Sequence, residues 1–144
     1  MLVRKLLIAS TGIALAFLLL GPWIIYKVAL SNIIVLPSPS NDLKPSAADT
    51  KSIWLKFREH GPVNVKPLSP HGYAFDFLAD NPLPSGANLA WYVARNHNQG
   101  NLKNRRMIWW HMSGAALTIW LTSHWSTEQL ISEANKIARS SQTL

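Results

Sequence analysis

From Leu6 to Tyr26 the sequence reads LLIASTGIALAFLLLGPWIIY, an uncharged run of 21 residues between Lys5 and Lys27. A helix of this length would be about 31 Å long, close to the hydrocarbon thickness of a bilayer. Trp23 and Tyr26 fall near its end, where aromatic side chains concentrate at membrane interfaces. The run therefore predicts a transmembrane anchor over residues 6–26.

The charges on either side of this run indicate its orientation. Arg4 and Lys5 precede it, whereas only Lys27 follows closely and the next cation is Lys44. Basic flanks stay on the cytoplasmic side of a membrane. We therefore expect residues 1–5 to be cytoplasmic and the chain after the anchor to be extracytoplasmic.

Two other membrane arrangements fit the sequence less well. A cleaved signal peptide has an apolar core of roughly 7–15 residues, shorter than this run, and residues 21–26 offer no small-x-small cleavage site. A second span over residues 107–123 is uncharged, but it is short at 17 residues and would place Arg105 and Arg106 on the outer side. We expect this second segment to be a core helix.

The composition excludes several classes of protein. The chain has 14 Lys+Arg against 7 Asp+Glu, a formal charge of +7, with 48% hydrophobic residues, which excludes a disordered basic tail. It has no Cys, which excludes a disulfide-stapled scaffold, thiolate zinc sites and thiol catalysis. No two of its five His have the spacing of a helical zinc site, and no nucleic-acid-binding motif occurs. We expect no metal, no cofactor and no nucleic-acid partner.

The part of the chain after the anchor divides into a linker and a mainly α-helical domain. Residues 27–50 include the Pro/Ser-rich stretch PSPSND and predict an extended spacer, and residues 51–144 form the domain. Ser126 and Gln129 have capping-box spacing at the start of the last helix. The prolines of residues 62–84 predict a loop with one turn at 73–78. The remaining apolar patterns predict helices over 50–59, 87–96 and 105–122.

Three stretches of this domain carry a family resemblance. Residues 106–130 read RMIWWHMSGAALTIWLTSHWSTEQL, residues 85–96 read SGANLAWYVARN, and residues 57–61 read FREHG. In this order and spacing they resemble the family 51 peptidoglycan glycosyltransferases, the transglycosylase domain of penicillin-binding proteins and of monofunctional enzymes. That family has R-T-L-x-R-K-x-x-E-A-x-x-A-x-x-L-E before S-K-x-E-I-L, preceded by G-G-S-T-I-T-Q-Q-L-A-R-N and E-D-x-x-F-x-x-H-x-G. The resemblance implies a small lysozyme-like helical domain at the bacterial inner membrane, in peptidoglycan biosynthesis.

The same resemblance implies that both catalytic carboxylates of the family are lost. The family's first Glu, which deprotonates the acceptor sugar, would fall near Ile53 or Trp54, and its second, beside the lipid pyrophosphate, at Gly114. General base catalysis needs a carboxylate within hydrogen-bond reach of the nucleophile. Glu59 is the single stand-in beside the motif, and a solvated carboxylate at a helix end is the simpler interpretation of it.

The ligand-binding residues that the resemblance implies are cationic and polar. Arg95, Asn96 and Arg106 match the family pattern, and His111 takes the place of a family Lys as a pH-dependent phosphate contact. Arg105 adds to the basic cluster. These residues are expected to contact the pyrophosphate of a lipid-linked peptidoglycan precursor.

Three functions remain open from the sequence. The first is an inactive relative of the family that binds lipid-linked glycan or a cell-wall enzyme. The second is a divergent active glycosyltransferase, with Glu59 as base and with His111 and Arg106 holding the pyrophosphate. The third is an unrelated interaction subunit of an envelope complex.

Overall fold

The computed structural model describes residues 2–39, 45–59 and 61–141, and this part of the chain is mainly helical. Among these residues the one isolated β-bridge joins Ile33 to Leu102. The expectation of a mainly α-helical fold with one long apolar N-terminal helix is confirmed. The helices are α1 (Leu2–Ser31), α2 (Ala47–Lys56), α3 (Pro70–Leu78), α4 (Ala87–Asn98), α5 (Met107–His124) and α6 (Thr127–Ser140).

Helix α1 contains the uncharged run and extends beyond it. Its segment Ser10–Ser31 has 22 residues and a mean hydropathy of 2.0. Only 12% of the most apolar 18-residue stretch of this segment is buried. By length and composition it can cross a membrane. The helix ends at Ser31, five residues beyond the predicted boundary at Tyr26, because no helix-breaking residue follows Pro22 before that point.

The end of α1 is built into the folded domain. Ala29 and Ile33 are buried, the amide of Ile34 donates to the carbonyl of Asn101 (2.8 Å), and Lys103 Nζ donates to the carbonyl of Ser31 (2.7 Å). The prediction of a linker over 27–50 is therefore wrong for its first residues, because their apolar side chains pack into the core. Residues 40–44 of that predicted linker lie outside the described residues.

A buried polar cluster joins α1 to α5. Asn32 Nδ2 donates to Ser113 Oγ (3.0 Å) and to the carbonyl of Asn104 (3.1 Å), and Asn32 Oδ1 accepts from the amide of Asn104 (2.9 Å). Ser113 Oγ donates to the carbonyl of Ala29 (3.1 Å). Since each of these polar atoms finds a partner, the cluster fixes the end of α1 against α5.

Helices α4 and α5 pack closely against each other. Trp91, seven residues before the end of α4, lies against Gly114, which is seven residues after the start of α5. Helix α6 packs against α4 and α2 with the predicted apolar stripe, and its Ser126–Gln129 capping box is confirmed. Several large side chains at the centre of this packing are fully buried: Leu89, Leu117, Leu121, Leu130 and Ile131.

The two helices before α4 differ from the sequence prediction. Helix α2 begins at Ala47, three residues earlier than predicted, because Ser46 Oγ accepts from the amide of Asp49. Helix α3 replaces the predicted turn at 73–78. Pro70 lies in its first turn, where its missing N–H costs nothing, and Ser69 Oγ accepts from the amide of Gly72 (3.0 Å).

Candidate functional site

Glu59 lies beneath the N-terminus of α4. It follows Arg58, whose left-handed backbone (φ 56°) reverses the chain after α2, and only 4% of Glu59 is exposed. Its Oε2 accepts from the amide of Gly86 (2.8 Å). Its Oε1 accepts from the amides of Asn88 (2.9 Å) and Leu89 (3.2 Å). Three amide groups at the start of α4 therefore share one carboxylate.

This geometry is that of a helix cap supplied from a distant part of the chain. The first amides of a helix have no partner within the helix, and its N-terminus carries partial positive charge, so a carboxylate stabilises it. Gly86, the N-cap residue, has φ 87° and supplies no side-chain cap, so Glu59 takes that role. Both oxygens are engaged, and neither is directed at a substrate hydroxyl.

The space beside Gly114 is filled by the ring of Trp91. A Cβ atom added to Gly114 would lie 2.6 Å from Cζ3 and 2.8 Å from Cη2 of Trp91. The indole of Trp91 therefore takes up the space that a side chain at position 114 needs. The other candidate positions, Ile53 and Trp54, are buried in the apolar core.

The cationic residues lie at the other end of α4. Trp91 and Trp110 meet edge to face, with their ring centroids 6.0 Å apart. Arg95 lies one turn after Trp91, and Arg106 lies one turn before Trp110. Both steps lead along the chain toward the 99–106 connection, and both arginine side chains are exposed.

His111 extends this surface. It is exposed, and its ring meets that of Trp110 edge to face at 4.9 Å. We call Trp91, Arg95, Arg106, Trp110 and His111 the cationic-aromatic surface. Among the described residues, no acidic side chain pairs with its arginines. Lipid phosphates, pyrophosphates and acidic partners are the anions that such a surface can bind.

The other predicted site residues are placed differently. Arg105 is exposed beside Arg106, and Lys103 is engaged with the end of α1. Asn96 lines a cavity of about 290 Å³ between α4, α6 and the segment Val35–Ser38. Glu59 caps the amide of Gly86, nine residues before Arg95, which corresponds to about 14 Å along a helix. The structure does not bring Glu59 to Arg95.

A second cavity lies between α2 and the start of α6, lined by Pro45, Thr50, Val63, Thr127, Glu128 and Ile131. Neither cavity is lined by Glu59, Arg106 or His111. Among the described residues, no group of three or more His, Cys, Asp or Glu side chains could hold a metal ion. The aromatic pair was not identified from the sequence as part of the site, because which helix positions face each other depends on the packing of α4 and α5.

No protein-family model, curated protein or solved structure matches this chain. The two longer stretches that carry the resemblance to the family 51 glycosyltransferases, residues 85–96 and 106–130, fold into α4, α5 and the start of α6. The contacts of these helices and their exposed charges are therefore the grounds for a functional proposal.

Proposed function

We propose that this chain is a membrane-anchored binding protein that recognises the pyrophosphate of a lipid-linked glycan and does not transfer it. In this proposal α1 crosses the bacterial inner membrane, and a lysozyme-like helical domain lies on the extracytoplasmic side. The peptidoglycan context comes from the resemblance to the family 51 glycosyltransferases. The observation that carries the proposal is the engagement of Glu59 as the cap of α4.

Two features support binding without catalysis. Glu59 is the only buried carboxylate of the described residues, and its three amide donors leave it no role as a general base. Trp91 occupies the space beside Gly114. Removing one catalytic base costs typically about 10²–10⁴-fold in rate, so a site that lacks both carboxylates has little activity left.

The cationic-aromatic surface supports the choice of ligand. Arg95 and Arg106 are exposed, and each lies one turn along the chain from a ring of the Trp91–Trp110 pair. Guanidinium groups form bidentate hydrogen bonds with phosphate oxygens, and indole rings pack against the apolar faces of sugars. A sugar pyrophosphate presents both chemistries in one molecule.

Binding can be tested with the full chain in nanodiscs and a fluorescent lipid-linked disaccharide pyrophosphate. We expect Arg95→Gln and Arg106→Gln each to weaken binding about tenfold, since a hydrogen bond to a charged group is worth about 1.5–3 kcal/mol. Lys51→Gln is the matched control, because it removes the same charge from an exposed position on α2. Equal affinities for all three variants would exclude this surface as the ligand site.

Catalysis can be tested on the same preparation. We expect no glycan polymer from the lipid-linked disaccharide, at any pH at which the helical content is retained. Polymer formation that is lost in Glu59→Gln, with the circular dichroism spectrum unchanged, would contradict the proposal and favour the divergent enzyme.

A further inference from the structure

Helix α3 presents a large apolar surface that the rest of the described chain leaves uncovered. The exposed fractions of Phe75, Phe77 and Leu78 are 66%, 75% and 84%. Phe75 and Leu78 lie on the same side of this nine-residue helix, and Phe77 directly precedes Leu78. Contiguous apolar patches on folded domains mark surfaces that contact another protein or a membrane.

The position of α3 beside α1 distinguishes between contact with another protein and contact with a membrane. The Nε2–H of His71 donates to the backbone carbonyl of Leu19 (2.8 Å). Tyr73 packs against the apolar cluster that contains Tyr26 and Ala29. The start of α3 is therefore held against the apolar part of α1.

The depth of this contact follows from helix geometry. Leu19 precedes Tyr26 by seven residues, which is about 10 Å along the axis of α1. Leu19 lies inside the uncharged run over 6–26 and inside the segment Ser10–Ser31 that can cross a membrane. The side chain of His71, which is bonded to the carbonyl of Leu19, lies at the same depth along α1 as Leu19. Helices that lie in a membrane interface bury their apolar face by about 5–10 Å, which agrees with this distance.

Several polar groups of α3 have internal partners, and the carboxylate of Asp76, between Phe75 and Phe77, accepts from Nδ2 of Asn81 (3.4 Å). Pro70 has no amide hydrogen, the amide of Gly72 is bonded to Ser69 Oγ, and His71 has a carbonyl partner. Backbone and side-chain donors that enter a bilayer need internal partners. Burial also raises the pKa of Tyr73 above its usual value of 10.0, so its phenol stays uncharged. The amide of Ala79 at the end of the helix donates to the carbonyl of Phe75 (2.9 Å).

We propose that α3 lies in the outer leaflet beside α1, with Phe75, Phe77 and Leu78 in contact with lipid acyl chains. This inference requires that α1 spans the bilayer, and it does not depend on the ligand of the cationic-aromatic surface. The domain then contacts the membrane through two helices, α1 and α3.

Depth-dependent fluorescence quenching tests the placement. The chain has no Cys, so Phe77→Cys in the full chain carries a single environment-sensitive label. The protein is reconstituted in vesicles of phosphatidylethanolamine and phosphatidylglycerol, with spin-labelled phosphatidylcholine as the membrane quencher and iodide as the aqueous quencher. Gln99→Cys, at the exposed end of α4 near the Ile34–Asn101 contact, is the matched control.

We expect spin-labelled lipid to quench the label at position 77 at least about twofold more strongly than at position 99, and iodide to show the reverse order. Iodide quenching at position 77 equal to that at position 99 would overturn the proposal. Protection from both quenchers would also overturn it, because it would mean that protein covers α3. Phe77 is largely exposed, so the substitution leaves the core intact.

Discussion

The six-membered ring of Trp91 lies against the backbone of Gly114, closer than any side chain at position 114 would allow. The distance from a Cβ atom on Gly114 to Cζ3 of Trp91 would be 2.6 Å. This pairing of a large and a small residue lets α4 and α5 approach each other. It also leaves no space for a side chain at position 114.

A double-mutant cycle tests this pairing. Gly114→Ala should lower the free energy of unfolding by about 1–2 kcal/mol, because overpacking outweighs the gain of about 1 kcal/mol in helix propensity. In a Trp91→Ala background, Gly114→Ala should raise the free energy of unfolding by about 0.5–1 kcal/mol, since only the higher helix propensity of Ala remains. Urea unfolding in detergent, followed by circular dichroism, measures both values. The same sign in both backgrounds would show that the ring does not fill this space.

Glu59→Gln should destabilise the domain by about 2–3 kcal/mol, because the carboxylate accepts three amide hydrogen bonds and a glutamine brings an NH₂ group against one of these donors. The amides of Gly86, Asn88 and Leu89 should exchange with solvent faster in the variant. Asp80→Asn is the control, since it removes a charge from an exposed left-handed position that Asn tolerates, and it should cost less than about 0.5 kcal/mol. Equal effects of the two substitutions would argue against the cap.

Gly86→Ala should be among the most damaging single substitutions. The left-handed backbone of Gly86 costs any other residue about 1–2 kcal/mol, and a Cβ there would lie 2.8 Å from Cα of Val65. We expect a loss of about 2–4 kcal/mol in the free energy of unfolding. Gly100→Ala, with nothing within 4 Å, should stay within about 0.5 kcal/mol of the parent. Similar melting curves for the two variants would contradict the close approach at Gly86.

Asn32→Ala should loosen the junction of α1 with the domain. The change removes three hydrogen bonds and leaves the half-buried amide of Asn104 without its partner, at a cost of about 2–4 kcal/mol. Faster amide exchange at Asn104 would report the loss directly. Ser31→Ala, which removes one exposed hydroxyl from the end of the same helix, should be nearly neutral. A neutral Asn32→Ala would show that α1 is held by apolar packing alone.

The sequence predicted a helix well where the residues that determine it, its apolar stripe or its cap, lie within a few positions of one another in the chain. The apolar stripe of α4 and the Ser126–Gln129 capping box were sufficient to place α4 and α6. The prolines of residues 62–84 were misleading, because Pro70 falls in a first helical turn after a Ser cap. Proline density indicates a loop only when the proline positions within each segment are also considered.

The site depends on contacts between distant parts of the chain, which the sequence pattern does not encode. The bond from the amide of Gly86 to Glu59 spans 27 residues, and the one from Asn32 to Ser113 spans 81. The simpler sequence interpretation of Glu59, a solvated carboxylate, does not fit its burial. Neither its cap role nor the filling of position 114 by Trp91 has a local signature, because both follow from how α2, α4 and α5 pack.

The direct entry of α1 into the core restricts how the domain moves. A domain on a flexible tether samples many tilts and heights above the lipid surface. Here the contacts of Ser31 and Ile34 with the α4–α5 connection leave no hinge at that point. With α1 in a bilayer, rotation about the membrane normal and lateral diffusion remain. Arg95 and Arg106 then stay at a constant height above the membrane surface. A ligand that diffuses in the plane of the same membrane therefore reaches them at a raised effective concentration.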